Sequence, residues 1–199
     1  MTDMNEVWQM MKAYADAYAV PILRDAELPL FRGLIQSARP KRVLEIGTAI
    51  GYSTLQMASC LDADSQITTI ELDPDRVAAA RRFIGMTPFR SMIRQLQGDG
   101  TALLDTLSGP WDFVFLDGPK GQYSRQLKKL LTQLAPQAVI AADNIRYHDM
   151  LYIEGTVPHK HRTAVGRLHE FLTLLGDTRR FDTVFFENGD GMTVSRWKG

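Results

Sequence analysis

The sequence predicts an α/β fold: a mostly parallel seven-stranded sheet with helices on both faces and an antiparallel hairpin at its C-terminal end. Three observations predict it. Between Arg42 and Asp143, short apolar runs alternate with segments of helical period, the pattern of a parallel sheet covered by its crossovers. A glycine-bearing strand-to-helix turn, "VLEIGTAIGYS", opens that alternation. Two β-rich runs flank a glycine-containing turn in "FDTVFFENGDGMTVSRW" and close the chain as a hairpin at the sheet edge.

The elements follow in order. Over residues 3–19 the apolar positions Met4, Val7, Trp8, Met11, Tyr14 and Ala15 repeat at helical spacing, with Asp3 placed to cap. Val20-Pro21-Ile22 ends that helix, since proline disfavours helix for the residue before it. A second helix is expected from about Glu27 to Ser37, ending before Pro40. Strands are expected at 42–46, 66–71, 91–96, 111–117 and 138–143, with helices at about 52–60, 74–85, 100–107 and 122–134. Asp73 before Pro74 is a good cap with proline at the first helical position. An irregular stretch follows Asn144, then a helix from about Ala164 to Leu175 precedes the hairpin.

The 199 residues fit one domain with a sizeable core, and the helices within residues 1–40 would cover a cofactor or a subunit interface. Lys+Arg and Asp+Glu both number 23, so no global field favours nucleic acid, though a local basic patch could serve one RNA loop. A single cysteine, Cys60, excludes an internal disulfide and argues against a cysteine-based zinc site; a buried structural thiol is expected. No stretch approaches the roughly 20 apolar residues of a membrane span, and the N-terminus has no signal-peptide core. A cytoplasmic protein without membrane partners is the expectation.

The loop spacing, Glu45-x-Gly47-x-x-x-Gly51, is not the G-x-G-x-x-G of dinucleotide sites, and glycine at such a turn can be simple turn chemistry. Glu71 strengthens the ligand reading. It ends the second strand, 24 residues after Gly47, where a carboxylate can accept from both ribose hydroxyls. Asp99, in "QGDG" beside Gly100, could address an adenine amino group. Acceptors at successive strand ends favour a nucleoside cofactor without requiring a diphosphate, and S-adenosylmethionine (SAM) fits that description.

Open parallel sheets bind ligands at the carboxyl ends of their strands. Asp117 and the Asp143-Asn144 pair occupy such ends, in "FLDGPKGQY" and "IAADN". Two carboxylates and an amide oxygen make a hard oxygen site suited to Mg²⁺ with room for water and substrate. Loop capping by the same residues is the alternative. Lys120, three residues after Asp117, could act as base on a hydroxyl held there, because a neighbouring cation favours the neutral amine. A solvated surface lysine is the alternative.

"VLEIGTAIGYST", "TTIELDPDR", "VFLDGPKGQY", "AADN" and "GDGMTVSR" together resemble the metal- and SAM-dependent O-methyltransferases that include catechol and caffeoyl-CoA methyltransferases. The resemblance runs from about Val20 to the C-terminus and implies their Rossmann-like methyltransferase fold. By position, it implies Asp117, Asp143 and Asn144 as metal ligands, Lys120 as base, and Glu71 as ribose ligand. Gly47, Thr48, Tyr52 and Ser53 match the methionine-binding loop, and Glu45, Gly51, Asp99, Gly100 and Asp117 are counted with the cofactor site. The wording looks most like small bacterial members, some of which methylate 5-hydroxyuridine at the tRNA wobble position. Gly118-Pro119 replaces the family's usual pair before the lysine. A homodimer through the N-terminal helices is a further implication.

Two acceptors stay open. A catechol-like small molecule and a tRNA anticodon loop can each grip one metal through two oxygens. Lys160, Arg162, Arg167, Arg179 and Arg180 could contact tRNA phosphates, or could be solvated helix residues. His159 and His161 read as part of a polar loop. A non-catalytic nucleoside-binding protein is the alternative of a different class.

Overall fold

The structure, a computed structural model, describes residues 3–147, 149–151, 156–187 and 189–199. Part of the irregular stretch after Asn144, and Asn188 in the hairpin turn, therefore lie outside the described residues. The chain divides into two compact units, Met1–Asp99 and Gly100–Gly199.

The first unit holds α1 (Met4–Ala17), α2 (Leu28–Ala38), β1 (Arg42–Ile46), α3 (Tyr52–Ala58), β2 (Gln66–Glu71), α4 (Pro74–Gly85) and β3 (Ile93–Gln97). Its strands run in the order β3-β2-β1, all parallel, with Val43 opposite Ile67 and Ile67 opposite Ile93. The cores of β1 and β2 are nearly continuous apolar or threonine runs, as expected of strands buried on both faces. Asp3 caps α1 through the Asn5 N–H at 3.3 Å, and Asp73 caps α4 through the Asp75 and Arg76 amides at 2.8 and 3.1 Å. Val7, Met11 and Ala15 form the buried stripe of α1.

The second unit holds α5 (Gly100–Leu103), β4 (Trp111–Leu116), α6 (Tyr123–Leu130), β5 (Leu134–Ala142), α7 (His159–Leu175), β6 (Phe181–Phe186) and β7 (Met192–Trp197). Here the order is β4-β5-β7-β6. Leu116 pairs in parallel with Ala142, while β7 runs antiparallel to both β5 and β6. Seven strands, parallel until the closing antiparallel hairpin, make the sheet that the alternation predicts and the Rossmann-like fold that the resemblance implies.

Several boundaries differ from expectation. β3 starts two residues late because Pro88–Met92 forms a 3-10 turn capped by Thr87. The helix expected at 100–107 is split into α5 and a 3-10 turn over Leu104–Thr106. β5 begins four residues early, at Leu134, which pairs with Trp111 and so shortens α6. α7 starts at His159 rather than Ala164, so His159 and His161 lie in its first turn and not in a loop. Cys60 is half-buried, just past the end of α3, instead of enclosed in the core.

Candidate functional site

In the first unit, the site is built around the turn from β1 to α3. Gly47 (φ 110°), Ala49 (φ 46°) and Gly51 (φ 87°) all adopt positive φ, which lets the chain reverse sharply over the strand end. A Cβ on Gly51 would meet the Ala80 Cβ at 3.4 Å, an ordinary contact, so it is the left-handed backbone that favours glycine here. Gly47 and Thr48 both donate their amides to the Ile70 carbonyl, at 2.9 and 3.2 Å, and this fastens the loop to β2.

Glu71 takes the next step. Its Oε2 accepts the Ala49 amide at 2.8 Å, and its Oε1 accepts the amides of Leu72 and Asp73 at 2.9 and 3.0 Å. The carboxylate is thus fixed at the tip of β2 by backbone donors from two loops. Asp99 is exposed just ahead of α5, and Gly98 is tied to Glu71 through its amide and the Glu71 carbonyl at 2.9 Å.

Glu45 and Ser53 are placed differently from residues that face open solvent. Glu45 is fully buried on β1 and accepts hydroxyls from Ser53 (2.5 Å), Thr69 (2.6 Å) and Thr54. Thr69 spends its one proton on Glu45, so the Thr48 hydroxyl, 2.5 Å away, donates to Thr69. The result is a buried polar network, Glu45 with three hydroxyls and a fourth behind them, lying beneath the glycine turn. Tyr52 is buried too, with its ring edge-on to Trp8 of α1 at 5.5 Å, and burial pushes its phenol above the usual range. The first helix therefore roofs one residue of the loop.

In the second unit, Asp117 and Asp143 directly follow the paired residues Leu116 and Ala142 at the tips of β4 and β5. The Asp143 amide bonds the Leu116 carbonyl at 3.0 Å, which locks the two tips together. Asp143 is almost fully buried, and its Oδ1 accepts the Asn144 amide at 2.8 Å. Asn144 itself has φ 52°, a left-handed conformation that asparagine tolerates better than most residues. Lys120 opens a 3-10 turn over Lys120–Gln122. Its Nζ lies 3.3 Å from Asp117 Oδ1 and 3.0 Å from Tyr123 Oη, with the side chain only 11% exposed. A solvated surface lysine is not what the fold builds here.

Tyr123 was not singled out from the sequence, although it sits in the same "KGQY" run. It is fully buried, and its hydroxyl meets the carbonyls of Leu116 (2.8 Å) and Asp143 (3.2 Å). Burial first, and then the nearby Asp117 and Asp143 carboxylates, push its phenol well above the ordinary range. Leu72, immediately after Glu71, is 61% exposed. Thr54 and Thr69 escaped notice because a hydroxyl on a buried strand or helix carries no pattern signal.

The structure brings Asp117, Lys120, Asp143 and Asn144 to adjoining strand tips, and it gathers Glu45, Gly47, Thr48, Gly51, Tyr52, Ser53 and Glu71 around the first turn. Among the described residues no group of three His, Cys, Asp or Glu side chains converges as a metal cage. A cation here would rest on two carboxylates, one amide and outside oxygens. That donor set is hard and incomplete, which suits Mg²⁺, an ion that keeps several waters. The basic residues of α7 and beyond are partly engaged. Arg167 pairs with Glu170 at 2.9 Å, Arg179 with Asp177 at 3.0 Å, and the Arg180 guanidinium lies 5.2 Å over the Trp197 ring. Among the described residues no helix is long and apolar enough to cross a membrane.

Comparison with known proteins places these features in context. The model of the O-methyltransferase family matches residues 9–198. A catechol O-methyltransferase of Niastella koreensis is 31% identical over 81% of this chain and 76% of its own length. A caffeoyl-CoA O-methyltransferase of Stellaria longipes is 28% identical over 82% of this chain and 70% of its own. The solved structure of an SAH-bound methyltransferase from Podospora anserina superposes with a TM-score of 0.83 at 25% identity, covering 100% of this chain and 89% of that one.

Proposed function

The chain belongs to the O-methyltransferase family, and on that premise we propose that it transfers the methyl group of SAM to a hydroxyl of a catechol-like small molecule held at a divalent cation. The observation that carries this reading is the Lys120 amine, bonded to both Asp117 Oδ1 and Tyr123 Oη at the tips where Asp143 also emerges.

Each group of residues has a part. Glu71 would accept the ribose hydroxyls, since its carboxylate is already oriented by three amides. Leu72 offers a flat base an apolar platform, which accounts for an exposed leucine at that place. Asp99 and Gly100 complete the adenine side, and Gly47, Thr48 and Gly51 give the methionine moiety a backbone surface without Cβ bulk at the glycines. Glu45, with Ser53, holds that surface from beneath. Asp117, Asp143 and Asn144 would hold the cation. When bound, SAM supplies an electrophilic methyl group and the cation supplies charge stabilisation for the acceptor oxygen. Lys120 takes the acceptor proton, and the fixed strand tips keep the reacting oxygen oriented, a contribution that grows when groups are held before the reaction begins.

A small acceptor is favoured over tRNA by the partners that Arg167 and Arg179 already have, which weaken a basic face toward phosphates. The test is turnover of labelled SAM with catechols and with undermodified tRNA, each with and without EDTA. Label on a catechol that vanishes with EDTA supports the reading. Label only on tRNA would replace the acceptor. SAM binding with no acceptor labelled in added Mg²⁺ would point to a non-catalytic nucleoside-binding protein.

A further inference from the structure

The fully buried Tyr123 hydroxyl joins three groups that the reaction needs in register. Its oxygen lies 2.8 Å from the Leu116 carbonyl, 3.2 Å from the Asp143 carbonyl and 3.0 Å from Lys120 Nζ. Carbonyl oxygens can only accept, so the single phenol proton serves the two strand tips. The Lys120 contact must then run the other way, with an amine N–H donated to a phenol lone pair. Asp117 Oδ1, 3.3 Å from the same nitrogen, takes a second N–H. Asp117 and Tyr123 thus hold the Lys120 nitrogen from two sides.

From this geometry we propose that Tyr123 is a positioning residue: its hydroxyl clamps the ends of β4 and β5 together and aims the Lys120 amine at the acceptor. The packing suits the role. The Tyr123 ring is fully buried and lies edge-on to Phe171 of α7 at 5.3 Å, which packs the phenol against the strand tips. The immediate sequence explains the placement as well. Lys120 and Tyr123 are three residues apart, across a 3-10 turn that runs into α6, which brings i and i+3 side chains to one face.

The inference rests on the proposed methyl transfer, and the experiment separates the two. Wild type, Tyr123→Phe, Lys120→Met and the double variant are assayed with SAM and Mg²⁺ on catechol and on an electron-poor nitrocatechol that ionises without help from a base. Tyr123→Phe is expected to lower kcat on catechol about ten- to a hundredfold, the scale of misplacing a reacting group. KM for catechol and SAM affinity stay at wild-type values, as expected when only transition-state alignment is lost. On the nitrocatechol the deficit largely disappears. In the Lys120→Met background, adding Tyr123→Phe has little further effect, because the phenol acts through the amine. An equal loss on both acceptors, or an undiminished loss in the Lys120→Met background, would mean that Tyr123 only holds the strands, and the inference fails while the methyl transfer stands. A wild type that methylates neither catechol overturns both. If Tyr123→Phe does not fold, 3-fluorotyrosine at position 123 keeps the ring and hydroxyl but weakens the oxygen as an acceptor. A kcat deficit confined to catechol then supports the inference, and unchanged kcat rejects it.

Discussion

Ala49 donates its backbone amide to Glu71 Oε2 at 2.8 Å, so the acid that ends β2 is also the clasp of the β1–α3 turn. The proposed ribose acceptor and the proposed methionine loop are therefore one mechanical piece within the first unit. A change at Glu71 would therefore remove the proposed ribose contact and loosen the loop together.

Glu71→Ala is accordingly expected to weaken SAM binding by more than one hydrogen bond's share. Charge-assisted bonds are each worth about 1.5–3 kcal/mol, so the dissociation constant should rise roughly ten- to a hundredfold or more. Isothermal titration calorimetry measures it directly. An unaltered constant would remove Glu71 from the cofactor site.

Asp143→Ala should abolish metal-dependent turnover and leave SAM affinity close to wild type. Lys120→Met should lower kcat by about 10²–10⁴-fold, the usual range for loss of a general base. Turnover and calorimetry on the same preparations check both. Retained activity in Asp143→Ala would discard the proposed ligand set.

Glu45→Ala is predicted to act on stability first. It strips the partner from three buried hydroxyls and leaves space behind β1. Unsatisfied buried donors cost about 1–3 kcal/mol each before they rearrange. A net loss of about 3 kcal/mol corresponds to a fall in Tm of about 6–12 °C for a chain of this length. Thermal unfolding followed by circular dichroism reads it, and a Tm within a degree of wild type would contradict the network's importance.

The acid response of the second unit follows from Glu170. Lys128, Arg167 and Ser124 bond its carboxylate and hold its pKa near 2, down from 4.5. Because the folded value lies below the unfolded one, its contribution to stability is complete above about pH 4.5 and is lost as pH falls towards 2. Much of it is screened, since the side chain is 31% exposed. Glu170→Gln should lower Tm slightly at pH 7, and the gap from wild type should close on acidification through that window. A gap that widens towards acid would reverse the sign assigned to this pair.

Much of this architecture is written in short-range pattern. β1, β2 and α4 stand at their expected bounds because short β-rich runs and the Asp73-Pro74 cap are local signals. β5 was foreseen four residues short, since Leu134 enters the strand only through pairing with Trp111, a partner more than twenty positions away. The same distinction holds for the site. Asp117, Lys120, Asp143 and Asn144 were visible because strand-end acids and a following lysine are read along the chain. Tyr123, Thr54 and Thr69 were not, because their importance lies in which carbonyl or carboxylate they meet after folding.

The amides of Ile145 and Arg146 bond the carbonyls of Gly191 and Asp190, at 3.0 and 2.8 Å. Gly191 (φ 77°) has no room for a side chain, since an added Cβ would lie 2.7 Å from the Arg146 Cγ. The turn of the last hairpin is thus a splint for the backbone on which Asn144 sits. Residues near the carboxyl terminus thus brace the segment that follows the proposed ligand Asn144. Fusions or truncations there should be designed as interventions in the proposed site's support and not as harmless trimming of an edge.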